Sequence, residues 1–343
     1  MSPPKQTAFV VCPGRGVYNA AELGYFARHH ADREDMLAGF DAQRDARSQV
    51  KIAELDGAER FSMSKFTRGD NASGLIYACS YADFLAIDRA QYDIIAVTGN
   101  SMGWYTALAC AGALTAQIGF EVVNTMGTIM QDYLIGGQLI YPIVDENWQE
   151  IAGAKDAVLE IIGRIDGLYL SIWLGGLMVL AGTDEALTAA EAALEPRQKR
   201  FPMRLGNHAA FHTELMQGNS DLGKMALASD IFTQPKIPMI DGRGHVWMPQ
   251  ASDIDALHDY TFGHQVTQSY DFTRAVQTGL KEFAPDKIIV LGPGITLGGA
   301  TAQSMLAIDW LGQATKTDFS TKQKETPYLI SMGMDNQRKL AID

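Results

Sequence analysis

A glycine-flanked turn between an apolar run and a run of small residues constrains the fold most. Residues 94–97 are apolar and predict a buried strand, and residues 106–114 predict a helix. Between them, residues 99–103 read G-N-S-M-G, which matches the pattern G-x-S-x-G. In a nucleophile elbow this pattern places the serine at a sharp strand-to-helix corner, and the glycines let strand and helix approach closely.

Ser101 is therefore the candidate nucleophile. A glycine-rich turn can also bind a phosphate or simply reverse the chain, so the pattern alone leaves those alternatives open. The strand and the helix that an elbow requires are both predicted here, which favours the nucleophile. The start of the helix would offer free N–H groups to an oxyanion beside Ser101.

The composition limits the classes of function. The chain has 343 residues, 47% hydrophobic and 20% charged, which suits a globular protein with one large domain or two. Its net charge of −12 argues against a nucleic-acid or anionic-membrane partner. The three cysteines lack metal-type spacing and indicate a reducing cytoplasm. We expect no metal, no signal peptide and no membrane-spanning segment.

Alternating strand and helix patterns predict the α/β class. Residues 8–12 form a first buried strand that ends at the glycine-containing loop 13–16, and residues 72–90 form a helix before the elbow strand. Residues 287–291 are the last predicted strand. Residues 314–343 are polar, and we expect them to be loosely organised.

The middle of the chain has a different pattern. Its elements follow the order β-α-β-β-α-β, which is typical of a ferredoxin-like unit. We therefore predict a large catalytic α/β domain of residues 1–135 plus 206–343. Residues 136–205 would form an inserted ferredoxin-like small domain, with a cleft between the two.

A serine nucleophile needs a base, and the chain has seven histidines. His208 and His212 stand where the chain would return from the small domain to the cleft. Spacing alone does not choose between these two.

Several segments resemble, in the same order, the malonyl-CoA:acyl-carrier-protein transacylases and the related acyltransferase domains of polyketide synthases. They are residues 12–16 (C-P-G-R-G), 99–105 (G-N-S-M-G-W-Y), 106–112 (T-A-L-A-C-A-G), 210–216 (A-F-H-T-E-L-M), 265–272 (Q-V-T-Q-S-Y-D-F) and 289–297 (I-V-L-G-P-G-I-T-L). The resemblance covers nearly all of residues 7–305. It implies an α/β-hydrolase-like large domain with a parallel sheet and an inserted ferredoxin-like small domain.

The resemblance also implies an S-acyltransferase of fatty acid or polyketide biosynthesis. Such an enzyme moves an acyl group from a coenzyme A thioester to the phosphopantetheine thiol of an acyl carrier protein, without a bound cofactor. By this resemblance, Ser101 and His212 would form a catalytic dyad. Backbone N–H groups of Met102 and Arg15 would form the oxyanion hole, and backbone carbonyls near Gln265 would orient the histidine.

Several positions depart from the family. Malonyl-specific members have an arginine on the helix after the elbow, where this chain has Met126. Asn100 replaces the elbow histidine, and Arg15 replaces the glutamine of the first loop. With Phe211 and Trp173, we expect Met126 and Asn100 to line an acyl pocket that favours a neutral acyl group. Arg15 could replace the lost arginine, bind a phosphate of coenzyme A or be solvated.

Two other functions remain open at this point. An acyl hydrolase that clears carrier proteins would use the same dyad with water as the acceptor. A non-catalytic carrier-binding protein would keep the fold alone. For the enzyme we expect a cytoplasmic monomer whose partners are acyl-CoA and an acyl carrier protein, with neither nucleic acid nor membrane.

Overall fold

The structure is a computed structural model that describes residues 4–342. Within that range the strands are β1 (Gln6–Cys12), β2 (Tyr92–Gly99), β3 (Gly137–Pro142), β4 (Leu168–Leu174), β5 (Leu177–Gly182), β6 (Met203–Leu205), β7 (Met239–Ile240), β8 (Val246–Trp247), β9 (Tyr270–Asp271), β10 (Lys287–Val290) and β11 (Leu329–Ser331).

The α-helices of the same range are α1 (Tyr25–His29), α2 (Glu34–Asp45), α3 (Ile52–Asp56), α4 (Met63–Phe66), α5 (Gly69–Ala86), α6 (Gly103–Cys110), α7 (Ala116–Asp132), α8 (Ala154–Arg164), α9 (Asp184–Ala193), α10 (Gln217–Ala226), α11 (Ile254–Asp259), α12 (Gln265–Thr267), α13 (Phe272–Phe283), α14 (Thr296–Leu306), α15 (Lys316–Glu325) and α16 (Asp335–Arg338). A π-helical turn, Tyr260–His264, joins α11 to α12. Short 3-10 turns occur at Ala20–Glu22, Ala31–Arg33, Glu214–Met216, Ser229–Ile231 and Trp310–Gly312.

Six of the strands form one sheet in the order β11-β10-β1-β2-β7-β8, and every neighbouring pair is parallel except β7 with β8. The central strand β1 is buried on both faces. Ala8, Val10 and Cys12 belong to one apolar cluster, and Phe9 and Val11 belong to another. A parallel sheet buried in this way needs helices on both sides.

Helices cover both faces of this sheet. Helices α5, α6 and α7 contribute to the cluster on one face, and α13 and α14 contribute to the other. Gly279 of α13 lies so close to the Phe9 ring that a Cβ atom there would overlap it. The predicted α/β class with a parallel sheet in the large domain is confirmed.

The second sheet has the order β6-β3-β5-β4-β9. Strands β3 to β6 are antiparallel and lie within residues 136–205, in the chain order β3-α8-β4-β5-α9-β6. Strand β9 comes from outside that range and pairs in parallel with β4 through Ile172 and Tyr270. The limits given above for the two domains remain a prediction.

The C-terminal part differs from what the sequence predicted. Residues 314–343 were expected to be loosely organised and 287–291 to be the last strand. Instead α15 precedes β11, which extends the large sheet beside β10. The misleading signal is α15, which has no buried residue, whereas the short segment after it buries Leu329 and Ile330.

A buried ionic network fastens the C-terminal segment to the core. Both Arg338 and His30 contact Asp83 Oδ1, with N···O distances of 2.6 and 2.7 Å. The other oxygen, Oδ2, accepts hydrogen bonds from the Tyr25 hydroxyl and the Gly292 N–H. Burial alone would raise the pKa of Asp83, but its hydrogen bond with His30 and the charge of Arg338 hold that pKa below the ordinary value.

No helix within residues 4–342 combines the length and the apolar character that a membrane span requires.

The network predicts a large stability effect at Arg338. We expect Arg338→Met to lower the free energy of unfolding by about 3–5 kcal/mol, because Asp83 would remain buried without its arginine partner. Urea denaturation measures this, with the exposed neighbour Lys339→Ala as the control. Asp83→Asn combined with Arg338→Met should recover part of the loss. A change below about 1 kcal/mol for Arg338→Met would contradict the role of the network.

Candidate active site

Ser101 lies on the corner between β2 and α6. Its φ angle is 54°, in the left-handed region that non-glycine residues rarely adopt. A Cβ atom on Gly99 would overlap the backbone of Gly103, and one on Gly103 would overlap the Cys12 carbonyl. Both glycines are therefore required for this corner, and the geometry is that of a nucleophile elbow.

His212 is the histidine that reaches Ser101. Its Nε2 lies 2.7 Å from the Ser101 Oγ, and its Nδ1 lies 2.6 Å from the main-chain carbonyl oxygen of Gln265. A carbonyl oxygen can only accept a hydrogen bond, so Nδ1 carries the proton and Nε2 is free to accept from the serine hydroxyl. Like Ser101, His212 has a positive φ angle, 59°.

Gln265 holds both members of this pair. It is the first residue of α12, directly after the π-helical turn, and the helix ends at Thr267. Its side-chain Nε2 donates to the Ser101 carbonyl oxygen at 3.0 Å, and its Oε1 accepts from the Tyr105 hydroxyl at 3.3 Å. A short helix leaves its carbonyls without intrahelical donors, so the Gln265 carbonyl is available to His212.

The environment of His212 keeps its imidazole neutral. Burial lowers the pKa of His212 to about 4, and the hydrogen bond to Gln265 opposes this shift only in part. At neutral pH the ring is therefore unprotonated at Nε2 and can act as a base.

The predicted oxyanion-hole donors are free of internal partners. Within residues 4–342, no acceptor takes a hydrogen bond from the backbone N–H of Met102 or of Arg15. Gly14 packs against the elbow, since a Cβ atom there would come within 2.5 Å of the Asn100 carbonyl oxygen. The loop that carries Arg15 thus lies directly beside the turn that carries Ser101.

A cavity of about 450 Å³, its open mouth included, adjoins Ser101. Its lining residues are Arg15, Ser73, Ser101, Met102, Tyr105, Val123, Met126, Gly127, Met130, Phe211, His212, Gln265 and Val266. The wall that α7 contributes has no basic residue.

The cavity includes Met126 and Phe211, as predicted, but not the other two residues assigned to the acyl pocket. Asn100 lies on the side of the elbow that faces Gly14. Trp173 lines a separate cavity, where the Lys155 ammonium lies 4.6 Å from the centre of its ring. The structure therefore does not bring Trp173 to Ser101.

Ser171, rather than Trp173, contacts a residue that lines the cavity. Its hydroxyl donates to the Phe211 carbonyl oxygen at 2.7 Å and accepts from the Gln138 amide at 2.7 Å. Ser171 was not predicted from the sequence, and neither were the cavity residues Ser73, Val123 and Met130. Helical spacing from Met126 was the available signal for Val123 and Met130.

His208 has a different environment from His212. Its Nδ1 lies 2.7 Å from the Gln138 Oε1, in the same chain of hydrogen bonds that includes Ser171. Burial, followed by the charge of Arg15, lowers the pKa of His208 well below the ordinary value. The choice that spacing left open is thus resolved geometrically, because His212 contacts Ser101 and His208 supports the wall behind it.

The Arg15 side chain, for which solvation was one of three predicted roles, is only partly exposed and is held by hydrogen bonds. One terminal nitrogen donates to the carbonyl oxygens of Thr67 and Asn207, at 2.7 and 2.9 Å. Its guanidinium carbon lies 5.3 Å from the centre of the Phe211 ring. Burial lowers the pKa of Arg15 to about 10, and the charge of Asp70 opposes this shift, so the group is still a cation at neutral pH.

Neither a metal site nor a disulfide accompanies this arrangement in the part of the chain that the structure describes. In residues 4–342, no group of three or more His, Cys, Asp or Glu side chains is placed to hold a metal ion. The cysteines Cys12, Cys79 and Cys110 are free and buried.

The sequence comparisons give distant relatives, and no family model matches the chain. A non-reducing polyketide synthase of Cercospora beticola is 28% identical over 243 residues, which cover 70% of this chain and 10% of that protein. The malonyl CoA-acyl carrier protein transacylase of Escherichia coli strain K12 is 25% identical over 206 residues, which cover 60% of this chain and 64% of that protein. The chain therefore spans less than two thirds of the length of these relatives.

The solved structures match over nearly the whole chain. The malonyl-CoA:ACP transacylase of Synechocystis sp. PCC 6803 matches with a TM-score of 0.76 at 17% identity. The match covers 98% of this chain and 99% of that one. A malonyl-transacylase in complex with its type II polyketide synthase acyl-carrier protein has a TM-score of 0.73 at 18% identity, and the match covers 98% of this chain and 99% of that one. The resemblance inferred from the motifs is thus confirmed: the chain is similar in sequence to the malonyl-CoA:acyl-carrier-protein transacylases and has their fold.

Proposed function

We propose that the protein is an acyl-CoA:acyl-carrier-protein S-acyltransferase that works through an acyl-Ser101 intermediate. The observation that carries the proposal is the 2.7 Å contact between the Ser101 Oγ and the Nε2 of a neutral His212. The transacylase fold supports the same reaction class.

The first half-reaction acylates Ser101. Its oxygen attacks the carbonyl carbon of the thioester while the His212 Nε2 takes the hydroxyl proton. The backbone N–H groups of Met102 and Arg15 stabilise the oxyanion of the tetrahedral intermediate. The carbon–sulfur bond then breaks, and the departing thiolate of coenzyme A takes the proton from His212.

The second half-reaction reverses these steps with a new thiol. His212 accepts the proton of the carrier's phosphopantetheine thiol, and the sulfur attacks the acyl-serine ester. The carbon–oxygen bond breaks and Ser101 recovers its proton from His212. An acyl carrier protein is the proposed acceptor, in line with the carrier complex of the similar malonyl-transacylase.

The test is covalent labelling of Ser101. Intact-mass spectrometry after incubation with acetyl-CoA should show a 42 Da gain in the unmodified protein and none in Ser101→Ala (the figure is roughly the mass of an acetyl group less one hydrogen). His212→Ala should slow labelling by at least about 10²-fold, because it removes the base. His208→Ala is the matched control and should change the rate by less than about fivefold.

Other outcomes would decide against the proposal. An adduct on another residue, or equal labelling of Ser101→Ala, would exclude Ser101 as the nucleophile.

A second experiment distinguishes transfer from hydrolysis. The acyl-enzyme is mixed in water with a carrier protein that bears a free phosphopantetheine thiol. Faster release to water than to the thiol would make the protein an acyl hydrolase, and no labelling by any acyl-CoA would favour a carrier-binding protein without catalysis.

We further propose that the acyl group is neutral. Met126, Val123 and Met130 line the cavity with apolar side chains from α7. The cation at the cavity, Arg15, already uses one terminal nitrogen on two main-chain carbonyls. A carboxylate placed against α7 would therefore lose its water without gaining an ion pair, which costs several kcal/mol.

The expected result is a preference for acetyl-CoA over malonyl-CoA of at least about tenfold in kcat/KM, since each 1.4 kcal/mol is about tenfold. Met126→Arg should shift the preference towards malonyl-CoA, and the apolar control Met126→Leu should leave it unchanged. Steady-state kinetics with malonyl-, acetyl- and hexanoyl-CoA measure it. A malonyl preference in the unmodified protein would contradict the neutral pocket and make Arg15 the partner of the carboxylate.

A further inference from the structure

The Arg15 side chain joins three segments around the cavity. Arg15 itself belongs to the loop 13–16 after β1. It donates to the carbonyl of Thr67, just before α5, and to the carbonyl of Asn207, just after β6. One guanidinium therefore connects the loop beside the elbow, the entrance to a cavity-lining helix and the end of the small sheet.

The two acceptor segments are also fastened to each other. The Asn207 Nδ2 donates to the Thr67 Oγ1 at 2.5 Å, and Thr67 donates in turn to the Met63 carbonyl. Asn207 has a φ angle of 56°, which asparagine tolerates better than most residues. The Thr67 and Asn207 segments, to which Arg15 donates, are therefore held together without Arg15.

The contacts of Arg15 suit an anchor better than a surface charge. Its guanidinium packs against the Phe211 ring and forms no ion pair with any carboxylate among residues 4–342. Its Nε atom is buried and has no acceptor within the described chain. Main-chain carbonyls are neutral, so they hold the cation in place without neutralising it.

The loop that carries Arg15 needs such an anchor. Arg15 stands between Gly14 and Gly16, and Gly16 has a φ angle of 88°. Glycine permits many backbone conformations, so a Gly-Arg-Gly segment would otherwise be free to move. Its N–H is a proposed oxyanion donor, and a displacement of about 1 Å at such a group can cost 10²-fold in rate.

We infer that Arg15 is a positioning residue: its side chain, held by the Thr67 and Asn207 carbonyls, fixes its own backbone N–H for the oxyanion. The inference rests on the proposed acyltransferase function. On this inference, arginine stands where the family has glutamine because its side chain holds the loop in place. Binding of an anionic substrate group is the competing role.

The test separates the rate of acylation from substrate binding. In single-turnover labelling with acetyl-CoA, Arg15→Gln should lower the saturating rate by about 10–100-fold. The half-saturating concentration should change by less than about threefold. Arg15→Lys should recover part of the rate, because an ammonium can still donate to carbonyls. Arg164→Gln, at an exposed surface pair, is the matched control and should change neither quantity.

A second measurement does not depend on activity. Hydrogen–deuterium exchange of a peptide covering residues 13–17 should be faster in Arg15→Gln than in the unmodified protein. Unchanged exchange overturns the inference, and so does a raised half-saturating concentration with an unchanged rate, which would mean anion binding. Absence of labelling in the unmodified protein would refute the proposed function, and the exchange measurement would still test the anchor.

Discussion

The hydrogen bond from the His212 Nδ1 to the Gln265 main-chain carbonyl is the interaction on which the site depends. It fixes the tautomer, so that Nε2 faces the Ser101 hydroxyl as an acceptor. A carbonyl has no net charge, unlike the aspartate of a Ser-His-Asp triad, and so stabilises the imidazolium less. Burial therefore prevails, and the pKa of His212 falls to about 4.

The fold makes that carbonyl available by interrupting a helix. The π-helical turn Tyr260–His264 and the three-residue α12 place Gln265 where its carbonyl has no helical donor. The side chain of Gln265 bonds to the Ser101 backbone, so one residue positions both Ser101 and His212, the proposed nucleophile and base. At the corner that carries Ser101, Gly99 and Gly103 permit the close approach of β2 and α6 on which the elbow depends.

The sequence predicted the parts of the site that local backbone rules determine. The elbow follows from two glycines around Ser101 between a strand and a helix. His212 and Gln265 came instead from the resemblance to the transacylases, and the structure places both in contact with Ser101. Which β4 side chains lie on which face of the sheet could not be predicted, because the register of the pairing with β5 shifts between Leu170 and Ile172. A bulge of this kind changes which side chains share a face of the sheet, so Ser171 contacts Phe211 while Trp173 lines the separate cavity. The acceptors of Arg15 were equally inaccessible, since Thr67 and Asn207 are 52 and 192 residues distant in the chain. The buried role of Arg338 depends on Asp83, 255 residues away.

The pH dependence of Ser101 acylation tests the central claim most directly. The acetyl thioester of N-acetylcysteamine is a suitable donor, because it has no group that titrates between pH 5 and 8. A neutral His212 with a pKa of about 4 predicts that kcat/KM stays nearly constant from pH 8 to 5.5. A histidine with an ordinary pKa near 6.5 would be mostly protonated at pH 5.5, and kcat/KM would fall about tenfold. Such a fall would contradict the account of a buried base oriented by the Gln265 carbonyl.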